Sequence, residues 1–489
     1  MTMTLTGRLC AFAVLTLLQV SFLSAQFAED ALRFSQLGLG VGARTLGLGG
    51  TSVGVVDDYS ALFLNPAGLA VVRDFEFSVG LSHLSYDNDV AYLGVATNTS
   101  SSATNLNNLG LIYPIPTSRG SLTFAFGFGR VANYTTSAGF SGFNTSSSIV
   151  ESMIPDVNLW SLSENDRKKL LDDNIPYQVF LAEIDSAQGR LYPLVTGNLT
   201  QRATVREGGG LNNWSAGGAI DIARDLSVGL TFNVVSGSYT YDREFSETDE
   251  RGLYNTAPAD LSRFTLEQTV RSNMTGYNAV AGLMYRRQGL FKIGMTVRTP
   301  TVYNIEEDFT SLGRSVFDNG DRFRLELSDK TSYELVTPIV IGAGGSFQMM
   351  DWLLLAGDVE YVDWTQMEFR SDNADLVAEN RIIKKIFEPT TNIRGGAEIT
   401  LWSLGLKLRG GIVMNPSPYI GDPSSFDQIY YTAGAGLALD QNVTLNLGYA
   451  LGTWKTFRDN YYVWYLADGS QTQEKVKTQT LNITLSYRF

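Results

Sequence analysis

The stretch 37–70, LGLGVGARTLGLGGTSVGVVDDYSALFLNPAGLA, separates an apolar leader from a long region of alternating sequence, residues 73–489. Its first half is dense in glycine, which permits positive φ and close backbone approach and disfavours a regular helix. It ends in a turn-forming sequence, because Pro66 fixes its own φ and disfavours helical geometry at Asn65. Two interpretations follow: a loop-rich arm that precedes a β domain, or a compact plug that the β domain surrounds.

Residues 1–25 have the pattern of an export signal. Arg8 precedes an apolar run, Ala11 to Leu18, and the small residue Ala25 precedes Gln26. The run is too short to form a spanning helix, and we expect cleavage after Ala25. The only cysteine, Cys10, lies inside this segment. The mature chain is therefore expected to be exported and to contain no disulfide and no thiolate metal site.

Composition and isolated motifs argue against several classes of function. The net charge of −13 disfavours a nucleic-acid partner. The single histidine, His83, provides neither a Ser-His-Asp triad nor a multi-histidine zinc site. The glycines at 38, 40 and 42 match part of a dinucleotide fingerprint, but no βαβ unit follows them. We predict no enzyme activity, no cofactor and no metal.

Alternation of apolar and polar residues dominates the rest of the chain. It is clearest at the C-terminus, where polar residues separate Leu481, Ile483, Leu485, Tyr487 and Phe489. Successive side chains of a strand point to opposite faces, so each such segment has one apolar and one polar face. The pattern recurs at 75–82, 226–233 and 443–451. Repeated alternating segments of about ten residues are typical of an outer-membrane barrel.

The spacing of the connections gives the strand count. One strand, six hairpins with short turns and a final strand follow in order, with longer polar segments between the hairpins. The predicted strands are 75–95, 105–116, 120–134, 211–222, 226–243, 271–286, 290–305, 333–349, 352–370, 387–401, 405–415, 428–439, 443–457 and 476–489. A soluble sandwich also alternates, but the export signal and the aromatic last residue favour a membrane barrel. We therefore predict an all-β, 14-stranded antiparallel transmembrane barrel at 73–489 around a plug at 26–72.

An apolar insertion at about 135–208 interrupts the strands. Ser161-Leu-Ser-Glu164 is compatible with a helix N-terminus, and Asn165 to Asp172 is predicted to be helical. We therefore predict a partly helical external loop. It is either a folded cap over the external rim or a landing surface for an apolar ligand.

Two glycines stand inside the predicted third strand, in Phe124-Ala-Phe-Gly-Phe-Gly-Arg130. Glycine within a strand marks a bulge, a bend or close approach of another backbone. Gly127 and Gly129 therefore indicate either a bend that opens the barrel wall or relief of crowding against the plug.

These features resemble the FadL/TodX-type family of outer-membrane transporters. The resemblance is carried by Gly42-Ala-Arg-Thr-Leu-Gly-Leu-Gly-Gly50, by Asp57-Asp58, and by Asn65-Pro66-Ala67 before the first strand. Further similarity lies at 226–233, which looks like the family's fifth strand, and at 407–418, which looks like its eleventh strand and following loop. The resemblance implies location in the outer membrane of a Gram-negative-type bacterium and an N-terminal hatch inside the barrel.

The resemblance also implies roles for individual residues. The hatch turn would consist of Asn65, Pro66 and Ala67, and the hatch backbone would include Gly47, Gly49, Gly50, Asp57 and Asp58. The mature N-terminus in the lumen would be Gln26 and Phe27. The kink of a lateral gate would lie at Gly127 and Gly129. In the family the apolar external segment follows the fifth strand, whereas here it follows the third.

The function implied by the resemblance is uptake of long-chain fatty acids or other hydrophobic molecules by ligand-gated passive diffusion with lateral exit. The implied partners are the hydrophobic ligand, outer-membrane lipid and lipopolysaccharide, and a monomer is expected. One alternative is a surface or secretion-associated structural barrel that binds protein partners. Another is a nonspecific porin, in which residues 37–70 would not close the lumen.

Overall fold

The computed structural model describes residues 24–287, 289–463 and 470–489. Within them the chain forms a closed 14-stranded antiparallel barrel, as predicted. Its strands in chain order are β1 (Glu76–Tyr92), β2 (Val95–Ile115), β3 (Leu122–Asn133) continued by β4 (Thr136–Asn144), β7 (Leu199–Ala223), β8 (Leu226–Thr248), β9 (Leu261–Arg287), β10 (Phe291–Arg298) continued by β11 (Val302–Phe317), β12 (Arg322–Val336) continued by β13 (Val340–Met350), β14 (Leu353–Asp363) continued by β15 (Glu368–Arg370), β16 (Pro389–Leu401), β17 (Leu406–Asn415), β18 (Gln428–Ala438), β19 (Val443–Tyr461) and β20 (Ser470–Arg488). Two short strands, β5 (Ala182–Asp185) and β6 (Arg190–Pro193), form a separate hairpin. The export signal expected over 1–25 lies, apart from its last two residues, outside the described residues.

The barrel closes between its first and last strands. Glu76 of β1 stands opposite Arg488 of β20, and the antiparallel ladder continues from there to Ala91 and Gln473. The Arg488 side chain also forms an ion pair with Glu76, with 2.7 Å between Nη2 and Oε2. At the same end Phe75 packs on the C-terminal Phe489, with ring centroids 4.4 Å apart. The alternating C-terminal segment is therefore the strand that completes the barrel.

Several strands extend further outward than the sequence predicted. The insertion occupies 145–198 and not about 135–208, because β4 and the start of β7 form a ladder from Thr136↔Glu207 to Asn144↔Leu199. Two connections expected to be long are short: β1 joins β2 through residues 93–94, and β11 joins β12 through residues 318–321. The prediction was wrong there because the outward faces of these extensions are polar.

Strand β8 shows how the polarity of the wall reverses along the barrel. In its lower part Leu230, Phe232 and Val234 are exposed, whereas Thr231 and Asn233 are buried. In its upper part the exposed side chains belong to polar residues such as Ser238 and Glu244. The buried ones there are Val235, Tyr239, Tyr241 and Phe245. The lower half is thus apolar outside and polar inside, as membrane barrels are, and the upper half has a hydrophobic core.

Helices fill the lumen and the external insertion. The lumen holds α1 (Ser24–Ser35), α2 (Ala43–Gly47) and two 3₁₀ turns, Tyr59–Leu62 and Pro66–Val71; the insertion holds α3 (Ile149–Ser152), α4 (Glu164–Asp172) and α5 (Ile175–Gln178); and α6 (Ala374–Ile386) lies between β15 and β16. Helix α4 confirms the predicted helix, although its N-cap is Ser163 and not Ser161. Helix α6 was not predicted, and it packs on α1. No helix in the described ranges is long and apolar enough to cross a membrane.

Candidate functional site

The hatch turn is buried against the fifth, sixth and seventh barrel strands. The Asn65 amide donates to the carbonyl of Val53 at 2.6 Å and accepts from the Ala67 N–H at 3.1 Å, so it caps the 3₁₀ turn that Pro66 begins. A Cβ on Gly282 of β9 would collide with the Asn65 amide oxygen, and one on Gly229 of β8 would collide with the Pro66 backbone. The turn is therefore held by its own hydrogen bonds and by direct contact with the wall.

Glycines of the inner wall let the backbone and side chains of the hatch touch the barrel on most sides. An added Cβ would come closer than 3.0 Å to hatch atoms at wall positions Gly110, Gly127, Gly129, Gly229, Gly282, Gly294, Gly396, Gly411, Gly434 and Gly448. Contacts spread over strands so far apart place the hatch inside the lumen. On the hatch side, Gly47 lies against the Cα of Gly434. Gly49 and Gly50 both adopt φ +69°, which disfavours residues with a Cβ.

Arg44 joins the hatch to the wall through partly buried ion pairs. It pairs with Asp57 within the hatch, lies 3.7 Å from Asp58 Oδ2, and lies 3.5 Å from Oε2 of Glu398 on β16. Lys292 of β10 contacts Asp57 from the wall at 3.0 Å. Burial alone would raise the pKa of Asp57, but the neighbouring Arg44 and Lys292 outweigh it and leave that pKa well below its usual range. The predicted pair Asp57–Asp58 is thus part of the attachment of the hatch.

Further lumenal charges complete this attachment. Glu398 also accepts from Arg409 at 2.7 Å and pairs with Lys407 at 3.3 Å. Asp358 accepts from the backbone N–H groups of Ser52 and, at 2.9 Å, Val53. Both carboxylates therefore meet a partner of opposite charge or a backbone donor, which is the condition for burying charge at low cost.

The third barrel strand is interrupted where the hatch touches it. A Cβ on Gly127 would collide with the Tyr59 hydroxyl, and one on Gly129 would lie 2.7 Å from the Phe63 ring. The ladder between β2 and β3 ends at Asn108↔Gly129, and a register shift follows between Arg130 and Ala132. Both glycines therefore lie inside the paired segment, and the interruption begins one residue beyond them.

Beyond this point the wall is closed by overlap and not by a ladder. Among the described strands, β4 pairs with β7 alone, and residues 95–106 of β2 pair with β1 alone. The bulged Val131 accepts a hydrogen bond from the hatch N–H of Gly38 at 2.8 Å. Strand β4 packs on inward side chains of β1, and the rings of Phe140 and Tyr92 are 4.4 Å apart. The seam between β2 and β4 is thus a part of the wall that no ladder closes.

A cavity of about 290 Å³ lies between the hatch segment 37–41 and the wall. Its apolar lining includes Leu32, Leu64, Val131, Trp364, Tyr419, Phe426 and Trp454. One corner is charged: Arg394 pairs with Glu360 at 2.8 Å, and Arg298 reaches the Phe63 carbonyl at 3.4 Å. The cavity touches both the hatch and the bulged residue of the third strand. Polar side chains such as Gln36, Asn392 and Asn415 line it beside the apolar ones, so the lining is of mixed polarity.

The remaining predicted residues occupy the start of α1. Gln26 and Phe27 belong to its first turn, and their side chains lie outside the described part of the structure. The described residues contain no group of three or more His, Cys, Asp or Glu that would hold a metal ion. Sequence reasoning missed the role of Arg44. Its signal was present, because Arg44 is the single charged residue in 34–56.

A membrane-type barrel whose lumen holds an N-terminal hatch defines the class of this protein. No family model matches the sequence, and no curated protein is similar to it in sequence. Solved structures are similar in fold. The P. putida toluene transporter TodX shares 15% identity, with 92% of this chain and 99% of that chain covered and a TM-score of 0.53.

A Pseudomonas aeruginosa FadL homologue gives a TM-score of 0.55 at 12% identity, with 93% of this chain and 99% of that chain covered. At such identities the similarity is one of fold. The chain has the FadL/TodX-type transporter fold, as the sequence resemblance predicted.

Proposed function

We propose that this protein takes up hydrophobic molecules across an outer membrane by passive diffusion. The observation that carries the proposal is the cavity, because it is bordered both by hatch segment 37–41 and by the bulged Val131. A ligand there contacts the hatch and the seam at once. The similarity in fold to a toluene transporter and to a FadL homologue supports the proposal.

The moving part in this proposal is the N-terminal end of the hatch. Residues 43–72 are held by wall glycines and by the Arg44 ion pairs, and a body held at so many points does not leave as a unit. Segment 36–42 has fewer attachments, and Gly40 and Gly42 adopt φ +103° and +93°. We propose that a ligand displaces α1 and this segment, while the rest of the hatch stays in place.

The exit in this proposal is the seam between β2 and β4. When Gly38 withdraws, Val131 loses its hydrogen bond to the hatch, and the interrupted third strand is free to shift. No ladder has to break there, because residues 95–106, the outer part of β2, pair with β1 alone among the described strands. The ligand then leaves sideways, and a hydrophobic molecule avoids a water-filled path.

The apolar side chains that line the cavity fit either an alkyl chain or an aromatic ring. The charged corner holds Arg298 and Arg394 against one carboxylate, Glu360, so a molecule with one acidic group also fits. We propose that lipid and lipopolysaccharide contact the outer face of a monomer. We also propose the division of the chain into a hatch at 26–72 and a barrel at 73–489.

The test is uptake by intact cells. Cells that produce the protein should accumulate radiolabelled toluene or palmitate faster than cells that lack it, and a hydrophobic molecule should be found by mass spectrometry in the purified protein. Equal accumulation with and without the protein, for both compounds, contradicts the proposal.

A further inference from the structure

The outward apolar face of the barrel ends at one level on the last two strands. The outward residues are apolar over 445–451 of β19 and over 481–487 of β20, and polar residues follow them on both strands. At this level the Tyr449 hydroxyl donates to the Gln479 side chain at 2.9 Å, and Tyr431 of β18 is 57% exposed. Aromatic girdles flank the apolar band of membrane barrels. The level therefore marks the external boundary of the apolar band.

Three lysines lie on the outward face just beyond this boundary. Lys475 and Lys477 belong to β20 and Lys455 to β19, and all three are exposed. Lys455 stands directly opposite Lys475 in the ladder, and Lys477 is the neighbouring outward residue on the same strand as Lys475. Facing residues of an antiparallel pair have Cβ atoms about 5 Å apart, so the three ammonium groups can reach one anion. We call Lys455, Lys475 and Lys477 the lysine patch.

The fold itself does not pair the lysine patch with carboxylates. Strand β1 places Asp89 opposite Lys475 and Asp87 opposite Lys477. Asp89 instead accepts a hydrogen bond from the Asn98 side chain at 2.8 Å. Within the described ranges, none of the three lysines forms an ion pair. Three cations therefore stand beside two carboxylates, and an excess of positive charge remains at this point of the wall.

Two other cations of the outward face show a different arrangement. Arg271 of β9 lies 2.9 Å from Asp242, and Lys330 of β12 lies 2.9 Å from Asp308. By contrast, two members of the lysine patch face each other, and like charges directly opposite in a sheet are destabilising. An anion between them removes that repulsion. The lysine patch therefore has the charge, the exposure and the geometry of an anion site.

We propose that the lysine patch binds the phosphate groups of lipid A, the glycolipid part of lipopolysaccharide. This inference rests on the proposed function, which places the barrel in an outer membrane, and it adds the site of one lipid partner. The acyl chains of lipid A lie along the apolar face over 445–451 and 481–487, and its phosphates meet the lysines beyond the boundary. Lysine suits this position, because its long stem packs on apolar surface while its ammonium group stays in the polar layer. One molecule is thus held by apolar contact and by charge.

The experiment measures binding of lipid A to the purified mature protein in detergent by native mass spectrometry. Diphosphorylated lipid A is compared with the same lipid after enzymatic removal of its phosphates, and the parent should prefer the phosphorylated form. In the triple variant Lys455→Gln, Lys475→Gln and Lys477→Gln, this preference should fall at least about tenfold, because each lysine at a charged membrane surface adds several-fold in affinity. Retained binding of the dephosphorylated lipid shows that the variant is folded.

A second triple variant removes the same charge elsewhere and is the matched control. Lys168→Gln, Lys384→Gln and Lys385→Gln change exposed lysines that lie on α4 and α6 and not on the strands. This variant should bind both forms of lipid A as the parent does. An equal loss of preference in the two triple variants would show that overall charge and not the lysine patch attracts the lipid.

A change of opposite sign tests the charge argument. Asp89→Asn removes the carboxylate opposite Lys475 and leaves the three lysines in place. It should raise the preference for phosphorylated lipid A, whereas damage to the barrel would lower it. An unchanged or lower preference would contradict the proposal.

The remaining outcomes decide which anion the lysine patch takes. Equal binding of the two forms of lipid A by the parent, or an unchanged preference in the patch variant, would overturn the proposal. Phosphatidylglycerol that binds as tightly as lipid A would make the patch a general surface for anionic lipids. Displacement of lipid A by an equal concentration of inorganic phosphate would assign the patch to free anions. Either result overturns the assignment to lipid A.

Uptake of labelled toluene and palmitate by cells is measured alongside. Protein-dependent uptake without a preference for phosphorylated lipid A rejects the lysine patch and leaves the proposed function standing. Absence of uptake with a phosphate-selective response that the patch variant loses rejects the proposed function and leaves the lysine patch.

Discussion

The two halves of this barrel hold the N-terminal segment in different ways. In the membrane half, residues 43–72 contact wall glycines directly, and Arg44 pairs with Glu398. In the external half, α1 lies mainly among large side chains such as Tyr134 and Tyr239, with one long ion pair to the wall, Arg33 to Glu207 at 3.9 Å, and α6 packs on it from a loop. Backbone contacts and buried ion pairs have few alternatives, whereas a packed apolar surface accepts another apolar occupant. The N-terminal segment therefore contains a part that is fixed to the wall, residues 43–72, and a part that another apolar group can replace, α1.

The largest expected effect separates these parts by deletion. Removal of 37–70 should raise the ion conductance of the reconstituted protein at least about tenfold, because a barrel emptied of its plug leaves an aqueous lumen. Removal of 26–35 should raise it much less, since the fixed hatch remains. Planar bilayer recordings measure both.

Equal conductance of the two deletions would show that the division is wrong. Wild-type protein that conducts as well as the 37–70 deletion would support the porin alternative and remove the hatch from the mechanism.

The next prediction fixes the seam in the external half. The structure places a Cβ at Gly139 of β4 2.9 Å from Thr99 Cγ2 of β2. The pair Thr99→Cys and Gly139→Cys is therefore within the range of disulfide formation. Oxidised cells should lose uptake of the hydrophobic substrate to the level of cells without the protein, and reduction should restore it.

Each single-cysteine variant is the control and should transport as the parent does under both conditions. Full uptake by the cross-linked double variant, with the disulfide verified by mass spectrometry, would exclude exit through the seam while leaving uptake itself intact.

A stability prediction compares ion pairs of the two halves. Arg44→Met leaves Asp57 and Glu398 short of a cation, and breaking a buried pair costs several kcal/mol. Because the Asp57 side chain is 32% exposed, we expect a loss of about 2 kcal/mol in the free energy of unfolding. Urea unfolding in lipid vesicles, followed by tryptophan fluorescence, measures it.

The matched variant is Arg202→Met on β7, whose pair with Glu250 is 2.9 Å long with side chains 54% and 44% exposed. An exposed pair contributes roughly 0–1 kcal/mol. A loss for Arg44→Met no larger than that for Arg202→Met would mean that the ion pairs do not fix the hatch.

The sequence predicted the membrane half better than the external half. Strands such as 226–233 alternate with apolar residues outward, so period and face both follow from residue type. In the external half, Tyr239 and Phe245 point inward while polar residues point outward. The same alternation of apolar and polar residues therefore has its apolar face toward the lumen and not toward the outside. This reversal is why the insertion was predicted at 135–208 when strands occupy its ends.

The candidate site was predicted where local chemistry determines it. Asn65 and Pro66 form a turn by their own stereochemistry, and the contact partners of the hatch glycines follow only from the folded barrel. Phe34 of α1, whose ring packs on Tyr134 and Tyr239, carried no signal, because one phenylalanine in a short helix resembles any core residue. Its neighbours Tyr134 and Tyr239 are about a hundred and two hundred residues away in the chain, and only the closed barrel brings them together.

The smallest expected effect concerns the outermost part of the external half, the insertion at 145–198. Trp160 is 51% exposed there, packs on Gly189 and lies 5.4 Å from the Arg167 guanidinium. We expect Trp160→Ser to change the free energy of unfolding by about 0.5 kcal/mol or less, as surface substitutions do, and to leave uptake unchanged. Initial uptake rates at low substrate concentration are the sensitive measurement, because a landing surface matters most when ligand is scarce. If the variant takes up less substrate at low substrate concentration and as much as the parent at high concentration, the insertion is a landing surface. If the uptake rates do not change, the insertion is a folded cap over α1.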